Sequence, residues 1–404
     1  MMQNPKMLGL LVGLSMVFIC ASCAPVGPVG GPGEKDSTNV ENAPANNGPE
    51  ARPIPLAIAP AAQPPDRLRE RIMMAIDQTR QRQLRMDNGF WTVFHGILGL
   101  GPSVTLQDPL TNERVNALDY ISQGGRIRGM RFLQTKDGLD VLTAPAPDVP
   151  LFVGQGHQDQ FVAEMAQWHC PPERKFIVDG KEYTFMDFVR HTQARARVTA
   201  DQELSWAIII IAQYLGTDLS WTNSAGEKLK YEDLLRYELN APVETAACGG
   251  THRLFGLDWV YYQYLHKGGA NVGVWKDIAD KTTKYQQLAR KLQNPDGSFS
   301  TDFFRGPGNA PDMQLRMNTT GHILEWLALS LPNQELKAPW VEQAVSALTQ
   351  MFMDIRSSEM ESGTLYHAVH GLLIYYARVY DGRDLGPQEP HVPLPPETRS
   401  AKKP

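Results

Sequence analysis

Apolar positions along the chain follow the 3.6-residue period of α-helices, and they predict helices of two kinds. In the first kind the apolar positions form a single stripe, as in residues 339–355, where Trp340, Val345 and Phe352 share one face. A helix with one apolar stripe covers a core from the outside. We predict six such outer helices, near residues 65–87, 113–123, 181–197, 228–239, 275–292 and 339–355.

Helices of the second kind are apolar nearly all round, which is typical of helices buried between other helices. The segment THRLFGLDWVYYQYL at residues 251–265 is an example. Alternation of six outer with six inner helices predicts an all-α fold, an (α/α)6 toroid in which the inner helices run parallel and no strand is needed. The six predicted inner helices cover residues 90–100, 156–168, 203–215, 251–265, 321–331 and 365–379.

The two ends of the chain have a different composition. Residues 24–64 are rich in Pro, Gly, Ala and Asn, and the segment after residue 384 is proline-rich and charged. Such segments bury too little apolar surface to offset the entropy lost on ordering. We therefore predict a disordered linker at 23–64, a single toroid domain at 65–382 and a disordered tail at 383–404.

The first residues have the pattern of an export signal. Lys6 precedes a short apolar run at residues 7–19, and two small residues stand directly before Cys23. This pattern resembles the signal peptide of bacterial lipoproteins, although Cys20 occupies a position where that family usually has Leu. The resemblance implies a signal peptide at 1–22, a lipid such as palmitate on Cys23, and an exported protein anchored to a cell-envelope membrane, in the periplasm or on the outer surface. The alternative is an ordinary secretory signal cut beside this cysteine.

A short repeat supports the ring of helices. The pattern L-Q-x-x-D-G occurs at residues 133–138 and 292–297, and in both copies we expect the Asp-Gly turn to end a helix. The second copy, with Gln293, Asp296 and Phe299, resembles the QW turn of squalene and other terpenoid cyclases. The resemblance implies the α/α toroid fold that these cyclases share with protein prenyltransferases.

The chemistries of known toroids are not expected here. The chain contains neither the D-x-D-D acid motif of class II terpenoid cyclases nor the D-x-C zinc pair of prenyltransferases. Cys248 begins the segment CGGT, whereas the thioester of complement-type toroids requires C-G-E-Q, so a thioester has no glutamine partner.

Glycines and histidines stand together at the predicted starts of three inner helices. The segments GQGH, CGGTH and TTGH are expected to place Gly156, Gly250 and Gly321 at one end of the ring. The histidines that follow would then converge on the mouth of the central cavity. Further histidines lie in two other inner helices. The histidines concerned are His157, His252, His322, His95, His367 and His370.

These residues are candidates for catalysis or binding. His322 and Glu325 are three residues apart and share a helix face, as a base or ligand pair or as a buried ion pair. His367 and His370 have the same spacing, but it is too weak a signal to predict a metal site. Each histidine has the alternative role of a buried polar group that is satisfied by its neighbours. The catalytic candidates are His252, His322, Glu325, His367 and His370, and the binding candidates are His95, His157, Asp159, Cys248 and Trp206.

Cys248 also raises the question of a disulfide, since exported domains usually pair their cysteines. Cys170 follows one inner helix and Cys248 precedes another, so parallel inner helices place them at opposite ends of the ring and no disulfide is expected. Cys248 would lie about one turn from His252, as a metal ligand, an activated nucleophile or a small buried residue.

Charge and motif content limit the function. The net charge is −5 and the basic residues are scattered, so no nucleic-acid surface is expected. The sequence specifies no cofactor and does not decide whether the protein is an enzyme. We favour a noncatalytic binding or scaffold lipoprotein that holds a glycan or small-molecule ligand in the cavity or uses its surface, because no catalytic signature is present. The alternative is a glycan- or uronate-active lyase, hydrolase or epimerase with histidine and glutamate acid-base residues.

Overall fold

The computed structural model describes residues 66–144, 153–199, 202–356 and 358–383, which are 54% helix and 11% strand. The signal peptide, Cys23, the linker and nearly all of the tail lie outside the described residues. Among the helices that are described, none combines the length and hydropathy needed to cross a bilayer.

A helix lies at each of the twelve predicted positions. The outer type comprises α1 (Arg67–Arg80), α3 (Ala117–Ser122), α5 (Phe185–Arg195), α7 (Tyr231–Asn240), α9 (Val274–Lys291) and α12 (Pro339–Ile355). The inner type comprises α2 (Phe90–Leu100), α4 (Gln160–Gln167), α6 (Ser205–Tyr214), α8 (Thr251–His266), α10 (Met313–Ser330) and α13 (Ser362–Tyr380), and a single turn, α11 (Asn333–Leu336), follows α10.

The expectation of a strand-free domain is wrong. The described residues contain four antiparallel hairpins. Strands of three or four residues are too short to give a readable period in the sequence. The hairpins are β1–β2 (Thr105–Gln107 and Arg114–Asn116), β3–β4 (Phe132–Thr135 and Gly138–Val141), β5–β6 (Lys175–Val178 and Lys181–Thr184) and β7–β8 (Ser220–Thr222 and Lys228–Lys230).

Three of these hairpins start an outer helix. β2, β6 and β8 end directly before α3, α5 and α7, and each of these helices has an aspartate at its third position. In α5, the Asp187 carboxylate accepts hydrogen bonds from the backbone N–H of Thr184 at 2.7 Å and from its hydroxyl at 2.9 Å. Such a cap satisfies donors that the first helical turn leaves unpaired. The hairpin and cap together fix where α3, α5 and α7 begin.

The two L-Q-x-x-D-G copies have different structures. The first copy forms the β3–β4 hairpin and does not end a helix, contrary to expectation. The second copy follows the last residue of α9, as expected. There the Gln293 side-chain amide donates to the carbonyl of Gly297 at 2.9 Å and to that of Trp340 at 2.8 Å. This turn therefore ties the end of α9 to the start of α12.

Contacts between the inner helices form a closed series. α2 contacts α4, α4 contacts α6, α6 contacts α8, α8 contacts α10, α10 contacts α13, and α13 contacts α2. Outer helices pack on this series, with α1 against α13, α12 against α10 and α9 against α8. The core is accordingly centred on the inner helices, and the side chains of residues 207–211 in α6 are fully buried.

One inner helix begins earlier than expected. α10 begins at Met313, so Gly321 lies in the middle of the helix and not before it. A Cβ at Gly321 would lie 2.8 Å from the Cβ of Ala368, so this glycine allows α10 and α13 to approach closely. α8 begins at Thr251 as predicted, with Gly250 as its N-cap, and the Thr251 hydroxyl donates to the carbonyl of Cys248 at 2.8 Å.

The segment before α8 is an unusual left-handed turn. Cys248, Gly249 and Gly250 have φ values of 48°, 62° and 80°. A Cβ at Gly249 would lie 2.1 Å from the Phe303 ring, and one at Gly250 would lie 2.3 Å from the carbonyl oxygen of Val243. Both glycines are therefore required by backbone conformation and by space. The turn fixes the position of Cys248 against the start of α8.

We predict that Gly250→Ala destabilises the protein much more than Gly180→Ala does. The two glycines have similar φ values, 80° and 77°, but a Cβ at Gly180 has no neighbour within 4 Å. Gly180→Ala should therefore cost only the left-handed strain, about 1 kcal/mol. Gly250→Ala adds a collision with backbone, which should cost about 1–3 kcal/mol more. Urea unfolding of both variants measures the difference, and equal losses would contradict the packing described for the turn.

Candidate metal centre

Five histidines from separate parts of the chain meet in the interior, and we call them the histidine cluster. Neighbouring imidazole centroids are 4.2 to 5.5 Å apart along the series His157, His252, His322, His367 and His95. His157 precedes α4, and the other four lie on α8, α10, α13 and α2, respectively. The structure thus brings together five of the residues that the sequence singled out.

Two cluster histidines are oriented by their own helices. The Nδ1 atoms of His95 and His322 each lie 2.8 Å from a backbone carbonyl one turn earlier, that of Trp91 and that of Asn318. A carbonyl only accepts hydrogen bonds, so Nδ1 carries the proton and Nε2 keeps its lone pair. This arrangement is typical of histidines that bind a metal through Nε2.

Glu325 orients two more imidazoles. Its carboxylate accepts hydrogen bonds from Nδ1 of His367 at 2.7 Å and from Nδ1 of His370 at 2.6 Å. Burial alone would raise the pKa of Glu325, but the two imidazoles outweigh burial and hold the pKa below its usual range. Glu325 on α10 therefore pairs with α13 and does not form the hydrogen-bonded pair with His322 that its spacing suggested.

His370 lies outside the cluster, beside two aromatic side chains. Its ring is 6.1 Å from that of Trp168 and 6.5 Å from that of Phe255. His370 is not among the described residues that could bind one metal ion together with two other ligands. His370 thus supports the Glu325 carboxylate from an aromatic wall.

The binding candidates outside the cluster have separate positions. Asp159 accepts hydrogen bonds from Thr192 at 2.9 Å and from Arg195, so it joins α4 to α5 and does not face the cluster. The Trp206 ring lies 4.8 Å from the His252 ring and forms part of the cluster wall. Glu203 accepts a hydrogen bond from His157 Nδ1 at 2.9 Å. Burial raises the pKa of Glu203, but the His157 imidazole has the larger effect, so the pKa lies below its usual range.

His252 differs from the other members of the cluster. It is only 4% exposed, and neither ring nitrogen has a hydrogen-bond partner among the described residues. Burial and the neighbouring imidazoles, His157 first, keep the pKa of His252 well below its usual range, so its ring is neutral. A buried polar group without a partner costs about 1–3 kcal/mol, and its presence calls for an explanation. One nitrogen of this neutral ring has a lone pair that is available to a ligand, and the other carries an N–H without an acceptor.

Three groups of potential metal ligands share members of this cluster. In each group, one ligand atom per residue lies within 4.8 Å of the others, and all the residues are buried. Tetrahedral Zn²⁺ with Zn–N bonds of about 2.0–2.1 Å separates its ligand atoms by about 3.3 Å, so modest side-chain movements would close such a group around an ion. The groups are His157 with Cys248 and His252, His252 with His322 and His367, and His95 with Glu164 and His367.

Glu164 is a site residue that the sequence analysis missed. It lies on α4 with no exposed surface, and its Oε1 accepts a hydrogen bond from Gln160 at 2.9 Å. Its other carboxylate oxygen, Oε2, has no partner among the described residues. Burial raises the pKa of Glu164 well above its usual range, although the Gln160 hydrogen bond opposes this. The sequence signal for this site residue was an acidic side chain inside the apolar run of an inner helix.

The two cysteines have different surroundings. Neither Cys170 nor Cys248 forms a disulfide within the described residues. Burial raises the pKa of the Cys170 thiol to about 12, so this thiol stays protonated and unreactive at neutral pH. Cys248 instead belongs to a ligand group with two histidines.

Comparison with known proteins gives no match to a family model, to a curated protein or to a solved structure. Function must therefore be inferred from the residues of the site and their geometry.

We predict that the metal-free protein loses stability as the pH falls below about 6.5. Burial, followed by the charge of His367, lowers the pKa of His322 to about 3, whereas an unfolded histidine titrates near 6.5. Between these pH values the unfolded state binds a proton that the folded state does not. The free energy of unfolding therefore falls from pH 6.5 toward pH 3, by about 1.4 kcal/mol per pH unit for each such histidine.

The measurement is urea unfolding in chelator as a function of pH. His322→Gln should flatten the dependence, and the exposed His266, replaced by Gln, is the control that should not. An unchanged slope in His322→Gln would contradict the burial of a neutral imidazole.

Proposed function

We propose that the protein is a noncatalytic ligand-binding protein, and that its ligand is a transition-metal ion bound by the histidine cluster. The observation that carries this proposal is the pair of unpartnered nitrogens of His252, buried among imidazoles of three other helices or loops. A buried group of this kind calls for an explanation, and an ion bound among these imidazoles supplies one.

We also propose that the fold is the (α/α)6 toroid. The closed series of contacts among the inner helices and the packing of outer helices on that series support it. The short hairpins are consistent with a toroid because three of the four precede outer helices, and the series of contacts between inner helices stays uninterrupted. In a toroid the cluster would lie at the centre, where side chains of every inner helix can meet.

The donor set favours a borderline transition metal. Neutral imidazoles are good ligands for zinc, copper, nickel and ferrous iron, whereas calcium and magnesium prefer oxygen. The low pKa values of His95, His252 and His322 mean that no proton competes for these rings at neutral pH. Glu325 holds the orientation of His367, which is the usual role of a carboxylate behind a metal-binding histidine.

Burial favours binding over the alternative of a glycan-active enzyme. A sugar chain would have to reach the acid-base groups, yet His252, His322, Glu325, His367 and His370 are all buried. A surface cleft of about 580 Å³ is lined by residues such as Arg82, Arg114 and Tyr366, and none of these histidines lines it. Catalytic zinc sites keep a ligand position open to substrate, and a closed site is typical of structural or storage roles.

We predict that the purified protein binds Zn²⁺ or Co²⁺ and that His322→Ala weakens this binding more than a hundredfold, because it removes a ligand. Glu325→Gln should weaken binding by about 10–100-fold, as expected for a group that orients a ligand. Competition with a chromogenic chelator measures both affinities. His266→Ala, on the exposed end of α8, is the control and should bind as the wild type does. Equal affinities for His322→Ala and the wild type, or no binding at all, would contradict the proposal.

We further propose that the protein is exported and anchored to a cell-envelope membrane through a lipid on Cys23, by its resemblance to lipoprotein signals. Mass spectrometry of the membrane fraction should find Cys23 as a lipid-modified N-terminus, and Cys23→Ser should prevent this modification. An unmodified soluble product that begins near Ala24 would contradict the lipid anchor.

A further inference from the structure

We propose that the cluster holds two metal ions rather than one, and that the imidazole of His252 bridges them with one ring nitrogen on each ion. This inference rests on the proposed metal-binding function and specifies the arrangement of the site.

The first argument concerns the hydrogen bonds of the histidines. A histidine that binds one ion normally donates its other N–H to a protein oxygen. His95, His157, His322 and His367 follow this rule, because each Nδ1 lies 2.7–2.9 Å from a carbonyl or carboxylate oxygen. His252 is the exception in the cluster, since both of its nitrogens lack such a partner among the described residues. A bridging imidazole uses both nitrogens for metals and needs no oxygen.

The second argument concerns how the ligand groups overlap. His252 belongs both to the group with His157 and Cys248 and to the group with His322 and His367. With two available nitrogens it can serve both groups at once. We call the first group the thiolate position and the second the imidazole position.

His367 also belongs to two groups, but it cannot serve both. Its Nδ1 is occupied by Glu325 at 2.7 Å, which leaves only Nε2 for a metal. The group of His95, Glu164 and His367 therefore competes with the imidazole position for a single ion. Glu164 would complete the coordination of the ion at the imidazole position, because its Oε2 has no partner within the described chain. The overlap thus yields two ions and not three.

The backbone at the thiolate position is preorganised. Cys248 is a non-glycine residue with a φ of 48°, a conformation that L-residues adopt only at a cost. Conformations of this kind persist where the surrounding structure enforces them, and they cluster at functional sites. Here the packing of Gly249 and Gly250 enforces the turn and holds Cys248 within reach of His157 and His252.

The bridge is chemically balanced without any oxidant or reductant. Binding of the second ion displaces the remaining N–H proton of His252 to solvent and forms an imidazolate. The thiol of Cys248 likewise gives up its proton to solvent and binds as a thiolate. Glu164 releases its carboxyl proton to solvent in the same way when it binds. The thiolate, the imidazolate and the carboxylates of Glu164, Glu203 and Glu325 then offset the positive charge of two divalent ions in this buried site. The thiolate position should prefer the softer ion.

The test is a Co²⁺ titration of the purified full-length chain, with metal content, optical spectra and electron paramagnetic resonance recorded together. We expect two ions per chain, a thiolate-to-cobalt charge-transfer band from one of them, and a resonance signal reduced by coupling between the ions. Cys248→Ser should remove the charge-transfer band and one ion. His322→Ala should remove the other ion and keep the band. Each single-ion variant should regain an uncoupled signal.

Two controls and one decisive variant complete the experiment. Cys170→Ser, at a buried cysteine outside the ligand groups, should keep both ions and the band, and so should His266→Ala. His252→Ala should abolish the coupling between ions. Circular dichroism verifies that each variant is folded, and the spectrum of the wild type reports thiolate binding even where a variant fails to fold.

The outcomes separate this inference from the proposed function. One ion per chain that is lost in both Cys248→Ser and His322→Ala would preserve the metal-binding function and overturn the two-ion site. Two ions whose coupling survives His252→Ala would overturn the bridge. No bound metal at all would overturn the proposed function and this inference together.

Discussion

The structure depends on the cost of burying imidazoles in an apolar interior. Charged imidazoles are expensive to bury, so His95, His252 and His322 are neutral, and neutral imidazoles still need hydrogen-bond partners. Backbone carbonyls supply them for His95 and His322, and Glu325 supplies them for His367 and His370. His252 alone in the cluster receives none from the described residues. This unmet requirement, together with the unpartnered Oε2 of Glu164, is the physical basis for assigning a ligand to the site.

Packing around the cluster explains several features that have no chemical role. Gly321 allows α10 and α13 to approach closely, and this approach lets Glu325 of one helix reach two histidines of the other. The buried pair of Arg253 and Glu238, with Nε and Oε2 2.8 Å apart, ties the start of α8 to α7 next to His252. Rigid supports of this kind hold the side chains of a site in a fixed geometry.

The sequence predicted the helices well and the site in part. Long periodic segments such as residues 339–355 identify helices. The strands were too short to show a period. The Asp-Gly pair at 179–180, between residues that alternate in polarity, was nevertheless a readable signal for the β5–β6 hairpin. Histidines could be named from the sequence, but the partners of Glu325 lie on another helix and depend on tertiary packing. Asp159 was named for the rim and instead joins α4 to α5, since a local pattern does not show which neighbour a side chain meets.

The central claim is that imidazoles of this cluster bind a transition-metal ion. X-ray absorption spectroscopy of the zinc-loaded protein tests it most directly, because the fine structure identifies the atoms bound to the metal. The account predicts zinc bound mainly by imidazole nitrogen at about 2.0–2.1 Å, with a sulfur contribution at about 2.3 Å that disappears in Cys248→Ser. A spectrum of oxygen ligands alone, unchanged when His252 and His322 are replaced, would contradict it.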